Sequence, residues 1–333
     1  MTSTLSQLAT HSRPTVSQHL GGRLWSSRQS YLLILPGVVL TVMFSIYPLV
    51  MSWYYSGLDW DGFSSRKYFV GLANYKDLIA DGFFWRAFGR SALFTVVATP
   101  IELALALLIA MVLNDRSLKL RSVYRAVIFI PVVTTTAIIS IVMSFIFSAF
   151  NSPPNQVLMD LGVVDRPIDF LGSPKTVLWT AIGIFVWKWV GQPMIYWLAG
   201  LQTVPTELHE AARVDGAGGW QRFRFITLPL LKPFAIIITL IVTAGNLQVF
   251  AFFQTLTGGG PYFASELMEL FIYRMAFGTS EAGASSVQRL GYASAAGVLF
   301  GVALMIFGVV QTLMLRKIRR AQLQQSPSQQ EQG

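Results

Sequence analysis

Six long apolar runs dominate this sequence and leave it few ways to fold. They cover approximately residues 31–55, 90–113, 124–149, 176–200, 226–255 and 291–315. About 20 helical residues cross a bilayer core, so each run is long enough to be a membrane span. Only 12% of the 333 residues are charged, whereas a soluble domain carries about 25%. The sequence therefore predicts an all-α integral membrane protein with six transmembrane helices.

The first apolar run is too long for the core of a signal peptide, which has about 7–15 residues. We interpret it as an uncleaved span that enters from the cytoplasm. Residues 1–30, before it, are polar and are predicted to form a cytoplasmic arm. The span and an outer loop with an amphipathic piece make up residues 31–88. A core transmembrane domain then follows at 89–316, and a disordered Gln/Ser-rich tail at 317–333.

Basic residues concentrate on one side of this topology. The segments 1–30, 114–123, 202–225 and 317–333, with the span ends next to them, hold 15 of the 25 basic residues and 5 of the 16 acidic ones. The remainder of the chain has 10 basic and 11 acidic residues. The positive-inside rule places these segments, and both termini, in the cytoplasm. The sequence pI near 9.9 therefore reflects membrane topology, and no nucleic-acid partner is predicted.

The sequence contains no recognisable catalytic or cofactor-binding set. Cysteine is absent, and His11, His19 and His209 are scattered. Gly258-Gly259-Gly260 is not a phosphate-binding loop, because no Lys-Ser/Thr follows it. We predict a protein that is not an enzyme and has no cofactor of its own. The chain has no Walker A sequence, so any ATP hydrolysis that is coupled to it by that route must take place on another chain.

The polar segment at 202–225 separates the fourth and fifth apolar runs. Pro205 is suited to a first helical turn, and Thr203 or Thr206 is suited to capping it. Helical spacing predicts one shared face for Leu208, Ala211, Ala212 and Asp215. Gly216 is predicted to end this helix, because glycine tolerates the left-handed conformation that helix ends favour. From physics alone, the segment could equally be a simple connector between spans.

The residue pattern of this segment is more informative. Glu210-Ala211-Ala212, two residues, Asp215-Gly216-Ala217, eight residues and then Ile226-x-Leu228-Pro229 resembles the EAA loop of binding-protein-dependent ABC importer permeases. The resemblance implies the type I ABC importer permease fold. It also implies that a cytoplasmic coupling helix lies in a groove of an ATPase subunit. The implied coupling residues are Glu210, Ala211, Ala212, Asp215, Gly216 and Ala217.

Three further strings resemble the sugar-permease branch of that family, which includes maltose and glycerol-phosphate permeases. They are Phe69-Val70-Gly71-Leu72-Ala73-Asn74-Tyr75, Leu256-Thr257-Gly258-Gly259-Gly260-Pro261 and Gly291-Tyr292-Ala293-Ser294-Ala295. The resemblance covers about residues 70–318. It implies import of an oligosaccharide, or of a related polyol or glycerol phosphate, by alternating access.

The same resemblance implies the partners and the location. The partners would be a second, non-identical permease chain, two ATP-binding subunits that hold ATP and Mg, and an extracytoplasmic substrate-binding protein or lipoprotein. The chain would cross the bacterial cytoplasmic membrane several times, in contact with lipid.

Polar side chains inside the apolar runs are candidates for a substrate path. The predicted path residues are Trp189, Gln192, Tyr196, Asn246, Gln248 and Gln254. Amides can hydrogen-bond sugar hydroxyls, and aromatic faces can pack on a sugar ring. The competing interpretation is that these groups hydrogen-bond between helices.

Two ionisable residues, Glu102 and Lys188, lie in predicted spans, where charges are costly and often functional. For Lys188 the alternatives are a structural partner, such as a backbone carbonyl or Glu102, and a role in transport. An ion-coupled secondary transporter is the alternative function. It would require inverted repeats and intramembrane carboxylates, whereas the sequence shows no repeat and offers only Glu102.

Overall fold

The computed structural model describes residues 28–115, 117–149, 152–278 and 288–325. Most of the predicted arm, residues 1–27, and the end of the predicted tail, residues 326–333, lie outside them. The chain divides into two units, 1–53 and 54–333.

The first apolar run is one long helix. Helix α1, Arg28–Thr41, continues through a π-helical stretch, Val42–Ile46, into α2, Tyr47–Ser56. The part Tyr31–Ser56 is long and apolar enough to cross a membrane.

The second unit is predominantly helical. Its first elements are β1 (Leu58–Asp59), β2 (Tyr68–Phe69), α3 (Ala73–Ala80), α4 (Gly82–Asn114), α5 (Arg121–Val133), α6 (Thr136–Ile146) and α7 (Pro153–Asp160). They are followed by α8 (Val177–Trp189), α9 (Gly191–Leu201), α10 (Thr206–Val214), α11 (Gly219–Arg222), a π-helical stretch (Phe223–Thr227) and α12 (Leu228–Asn246). The last elements are α13 (Phe250–Leu256), α14 (Met268–Phe277) and α15 (Leu290–Gln325).

The predicted helical membrane architecture is present, and the predicted count of six transmembrane helices is compatible with it without being matched one helix to one span. Among the described residues, four helices are long and apolar enough to cross a membrane, and the bent pair α5–α6 would make a fifth. The predicted fourth span comprises α8 and α9, and the interruption between them is slight, because the Val190 backbone that joins them is itself helical. Pro193 contributes to this interruption, because it has no N–H to donate to the carbonyl of Trp189.

Pro131 in the third apolar run predicts a kink at that residue, but the bend of this span falls after it. Pro131 lies inside α5, and the chain turns by 95° between α5 and α6. The break falls at Thr134 and Thr135, whose backbones are extended. Lys188 stabilises the freed end of α5, since its Nζ donates to the carbonyls of Pro131, at 3.0 Å, and Thr134, at 3.1 Å.

The fifth run, predicted as one span at 226–255, is also broken. Helix α12 ends at Asn246, and α13 begins at Phe250. The Glu269 carboxylate accepts a hydrogen bond of 2.8 Å from the backbone N–H of Val249, at the start of α13. This carboxylate satisfies one of the N–H groups that a helix N-terminus leaves free.

The predicted loops and tail contain more structure than the sequence suggested. The topology predicts outer loops at 150–174 and 256–288, but helix α7 lies in the first and α14 in the second, and β1 pairs antiparallel with β2. The fold is helical, as predicted, with one short antiparallel strand pair. Residues 317–325, predicted to be disordered, continue helix α15 to Gln325. Arg, Lys, Ala, Leu and Gln dominate this stretch and all favour helices.

Aromatic packing fixes α4, α8 and α13 around one core. Phe94 of α4 lies edge-on to Phe185 of α8, at a centroid distance of 5.0 Å, and to Phe253 of α13, at 5.2 Å. All three side chains are buried. This geometry is the one that aromatic pairs prefer, and it holds the short helix α13 beside the break that follows α12.

Small residues allow the helices of a second core to approach closely. Ala106 and Ala110 of α4 are fully buried in a cluster with Met194 of α9. A Cβ atom at Gly191 would lie 2.7 Å from the carbonyl oxygen of Ile128 on α5. Small residues at such contacts are typical of membrane helix packing.

Residues from two of the motif strings form hydrogen bonds within the outer loop and between this loop and the last helix. The Asn74 amide donates to the carbonyls of Ser56 and Leu58, at 2.9 and 2.8 Å. The Tyr292 hydroxyl donates to the Asp81 carboxylate at 2.7 Å. These motif residues therefore have a structural role in the second unit.

Candidate functional site

A cavity of about 350 Å³ lies where the interrupted helices meet. Its lining comes from α4, α6, α8, α9, α12 and α13 and from the break between the last two. The polar and aromatic lining residues are Glu102, Thr136, Phe185, Trp189, Gln192, Asn246, Gln248 and Phe252. Four predicted path residues, Trp189, Gln192, Asn246 and Gln248, are thus brought to one cavity.

Asn246 connects this cavity to a buried polar cluster on α4. Its amide nitrogen lies 3.0 Å from Thr99 Oγ1 and 3.1 Å from Glu102 Oε2. Its backbone carbonyl accepts from the Thr95 hydroxyl at 3.4 Å. Glu102 is only 2% exposed. Asn246 therefore lines the cavity and also joins α12 to α4. Both interpretations, a place in the substrate path and a hydrogen bond between helices, fit this residue.

The other two predicted path residues lie outside this lining. The Tyr196 hydroxyl accepts a hydrogen bond of 3.0 Å from the Gln192 amide, one helical turn away. Tyr196 can therefore orient Gln192 from behind the cavity wall. Gln254 is half-buried on α13, and within the described chain its side chain forms no hydrogen bond.

Lys188 is not among the residues that line this cavity. Its side chain is completely buried, and its ammonium binds the carbonyls of Pro131 and Thr134 and lies 4.3 Å from the centre of the Trp189 ring. Of the alternatives for Lys188, the structure therefore shows a structural partner, and this partner is backbone carbonyl oxygen. The role of Glu102 as a lining residue was missed, because only the fold brings α4 against α12.

Residues 202–225, called the Glu210 segment below, form the expected helix and turn. The N–H groups of Gly216 and Ala217 donate to the carbonyls of Arg213 and Ala212, at 3.0 and 2.8 Å. Gly216 has a φ of +79°. This is a Schellman ending with glycine in the left-handed conformation, as the sequence predicted.

Two local details of this segment differ from the prediction. Helix α10 begins at Thr206, with Pro205 before its first turn and without a side-chain cap. Thr203 instead donates to the carbonyl of Gly200.

The segment presents apolar side chains to its surroundings. Val214 is 88% exposed, and Trp220 and Phe225 are each 73% exposed. Leu208, on the predicted face with Ala211, is also exposed. Exposed apolar residues clustered in this way are typical of protein contact surfaces.

Broken apolar helices around a polar cavity, with a protruding helix–turn, define a membrane permease. Residues 102–320 match the family described as "Binding-protein-dependent transport system inner membrane component". The chain belongs to this family. It is a multi-pass membrane protein and the permease component of a binding-protein-dependent importer.

Individual relatives agree with this assignment. The chain is 32% identical to the lactose transport system permease protein LacF of Rhizobium radiobacter, over 81% of this chain and 88% of the relative. It is 36% identical to the trehalose/maltose transport system permease protein MalF of Thermococcus litoralis, over 74% and 83%.

A solved structure shares the fold. It is the bacterial alginate ABC transporter in complex with alginate pentasaccharide-bound periplasmic protein. One of its chains superposes with a TM-score of 0.76 at 22% identity, covering 90% of this chain and 98% of that chain. This likeness establishes the type I ABC importer permease fold.

Proposed function

We propose that this chain forms half of the translocation pathway of an ATP-driven carbohydrate importer and that the 350 Å³ cavity contacts the sugar. The observation that carries the proposal is the set of amide and aromatic groups at the helix breaks. The volume falls within the range of about 300–1,000 Å³ that is usual for small-molecule sites. The named sugar substrates of the lactose and trehalose/maltose relatives agree with it.

The lining chemistry suits neutral hydroxyl groups. The amides of Gln192 and Gln248 can donate to and accept from a hydroxyl, and the Trp189 ring offers an apolar face. Among the described lining residues none is cationic, and the Lys188 ammonium is occupied by two carbonyls. A phosphate would enter without a compensating charge, at a high desolvation cost. We therefore favour an unphosphorylated sugar.

The proposed link to ATP hydrolysis is the segment from Glu210 to Ala217. A rigid helix, a fixed turn and exposed apolar side chains are what a force-carrying contact with an ATPase requires. The proposal includes two ATP-binding subunits that hold ATP and Mg, a second permease chain and an extracytoplasmic substrate-binding protein. It places both termini on the cytoplasmic side of the bacterial inner membrane.

The test is sugar uptake by the assembled importer in proteoliposomes, with Gln192→Leu, Gln248→Leu and the double variant. Loss of one buried hydrogen-bond partner costs about 1–3 kcal/mol, so we expect each variant to slow uptake roughly 5-fold or more at unchanged assembly. Gln254→Leu, which lies outside the lining, is the matched control.

Two outcomes would contradict the proposal. Normal uptake by the double variant would remove this cavity from the sugar path. Uptake driven by an ion gradient without ATP would favour the secondary-transporter alternative instead.

A further inference from the structure

A second, larger cavity of about 1000 Å³ lies between the end of α4, the start of α5 and the Glu210 segment. Its charged lining consists of Asp115, Arg121, Arg125, Glu210, Arg213 and Arg222. Four arginines face two carboxylates, which gives the lining a net charge of +2 with His209 neutral. The cavity lies on the side of the protein that its basic residues assign to the cytoplasm.

The arginines of this cavity have unused hydrogen-bond donors. One terminal nitrogen of Arg125 donates to the carbonyl of Leu113 at 2.9 Å, which fixes the guanidinium in place. The Nε atoms of Arg125 and Arg222 are shielded from solvent and have no hydrogen-bond partner. Within the described chain, ion pairs are formed by Arg274 with Glu266 and by Arg289 with Asp77, and by none of these four arginines.

The carboxylates of the lining do not remove this positive charge. Asp115 accepts a hydrogen bond of 2.8 Å from the backbone N–H of Ser117. This bond, with further contributions from the Ser117 side chain and the charge of Arg213, holds the pKa of Asp115 below its ordinary value. Asp115 is therefore already counted as ionised in the net charge of +2.

We propose that this cavity is a binding site for a phosphate-bearing anion, held by Arg125 and Arg222 from the wall and by Arg121 and Arg213 from the rim. A guanidinium presents paired N–H donors that match phosphate oxygens. Basic pockets between membrane helices on the cytoplasmic side are suited to anionic lipid headgroups. The same chemistry fits a soluble phosphate, so the source is either an anionic phospholipid or a free phosphate group.

The experiment measures the melting temperature of the assembled, detergent-solubilised importer, with its ATPase subunits present. Short-chain phosphatidylglycerol, short-chain phosphatidylcholine and inorganic phosphate are titrated separately. We expect phosphatidylglycerol, phosphate or both to raise the melting temperature, and phosphatidylcholine to leave it unchanged. High salt should weaken the response, because it screens charges that solvent can reach.

Substitutions then locate the effect. Arg125→Gln with Arg222→Gln should raise the apparent Kd for the effective anion at least 10-fold. Arg224→Gln removes an exposed arginine of the same segment that lies outside the lining, and it should respond like the native protein. If the double variant does not assemble, Arg121→Gln with Arg213→Gln tests the rim, where we expect a smaller loss of affinity.

The outcomes are distinct. A response to phosphatidylglycerol alone identifies a lipid headgroup site, and a response to inorganic phosphate identifies a soluble anion site. The proposal is overturned if no anion raises the melting temperature of the assembled importer. That result is expected if an ATPase side chain fills the cavity. An equal response to phosphatidylcholine, or an unchanged response in the arginine variants, would overturn it too.

Discussion

Lys188 illustrates how one side chain can stabilise a bend in another helix. The last carbonyls of α5 have no intrahelical donors, because the chain becomes extended at Thr134. The Lys188 ammonium provides donors to two of these carbonyls and places a positive charge at the negative end of the helix. The residue therefore acts on the shape of the cavity wall, since Thr136 of α6 lines the cavity just beyond the bend.

We predict that Lys188→Met destabilises the assembled importer. Methionine retains the approximate length of the side chain but leaves two buried carbonyls without a donor, at a cost of about 1–3 kcal/mol each. The melting temperature of the purified complex should fall, and Lys188→Arg should restore part of the loss. Lys175→Met is the control, because Lys175 is exposed and surface substitutions usually change stability by about 0.5 kcal/mol or less. A native melting temperature for Lys188→Met would show that the bend does not depend on this cation.

At the scale of single elements, the sequence predicts a helix end that depends on local residues, but it does not predict a helix break that depends on a distant side chain. The end of α10 was predictable, because Gly216 determines it through its own backbone conformation. The breaks at Thr134 and after Asn246 were not, because they are completed by Lys188 and Glu269 from other parts of the chain. A proline inside an apolar run suggested the kink, but the tertiary contact determines where the bend falls.

The lining of the candidate cavity likewise depends on tertiary contacts that local sequence patterns do not show. The sequence identified the residue types that a sugar path needs, and the structure collects four of those residues in one cavity. The sequence could not distinguish Gln192, which lines the cavity, from Gln254, which does not, because the helix breaks determine which amides face the cavity. Glu102 enters the lining through the packing of α4 against α12, which no local pattern shows.

The left-handed backbone of Gly216 in the turn after α10 allows the effect of a substitution there to be predicted. Among the described residues, apart from its two chain neighbours, no atom lies within 4 Å of a Cβ placed on Gly216, but its φ of +79° is unfavourable for other residues. Gly216→Val should therefore act through backbone strain, at a cost of about 1–3 kcal/mol, and not through a steric clash. We expect the variant to insert in the membrane but to lose its ATPase subunits, or the stimulation of ATP hydrolysis by loaded binding protein.

Gly216→Asn is the matched variant, because asparagine tolerates the left-handed conformation, and it should retain stimulated hydrolysis. Glu210→Lys tests the same contact by charge reversal without altering the turn. If Gly216→Val and Glu210→Lys both leave assembly and stimulation intact, this segment is not the coupling element.

The charge distribution constrains the arrangement of the whole molecule. The Glu210 segment, the α4–α5 loop and the end of α15 are basic, whereas the stretches that contain α3, α7 and α14 have nearly balanced charge. Basic residues are retained on the cytoplasmic side during membrane insertion. The proposed coupling surface and the arginine-lined cavity both depend on this orientation, so it can be tested independently of transport.

Single cysteines introduced into this cysteine-free chain can report the orientation directly. Gly218 is exposed and has a φ of −66°, a conformation that cysteine adopts without strain, and Val163 is 64% exposed in the α7–α8 loop. We expect a membrane-impermeant maleimide to label Val163→Cys at the outer surface of spheroplasts with an intact inner membrane. Gly218→Cys should be labelled only after that membrane is permeabilised, because the positive-inside rule places it in the cytoplasm. Labelling of position 218 before permeabilisation would show that the topology is the reverse of the predicted one. The Glu210 segment would then be out of reach of any cytoplasmic ATPase.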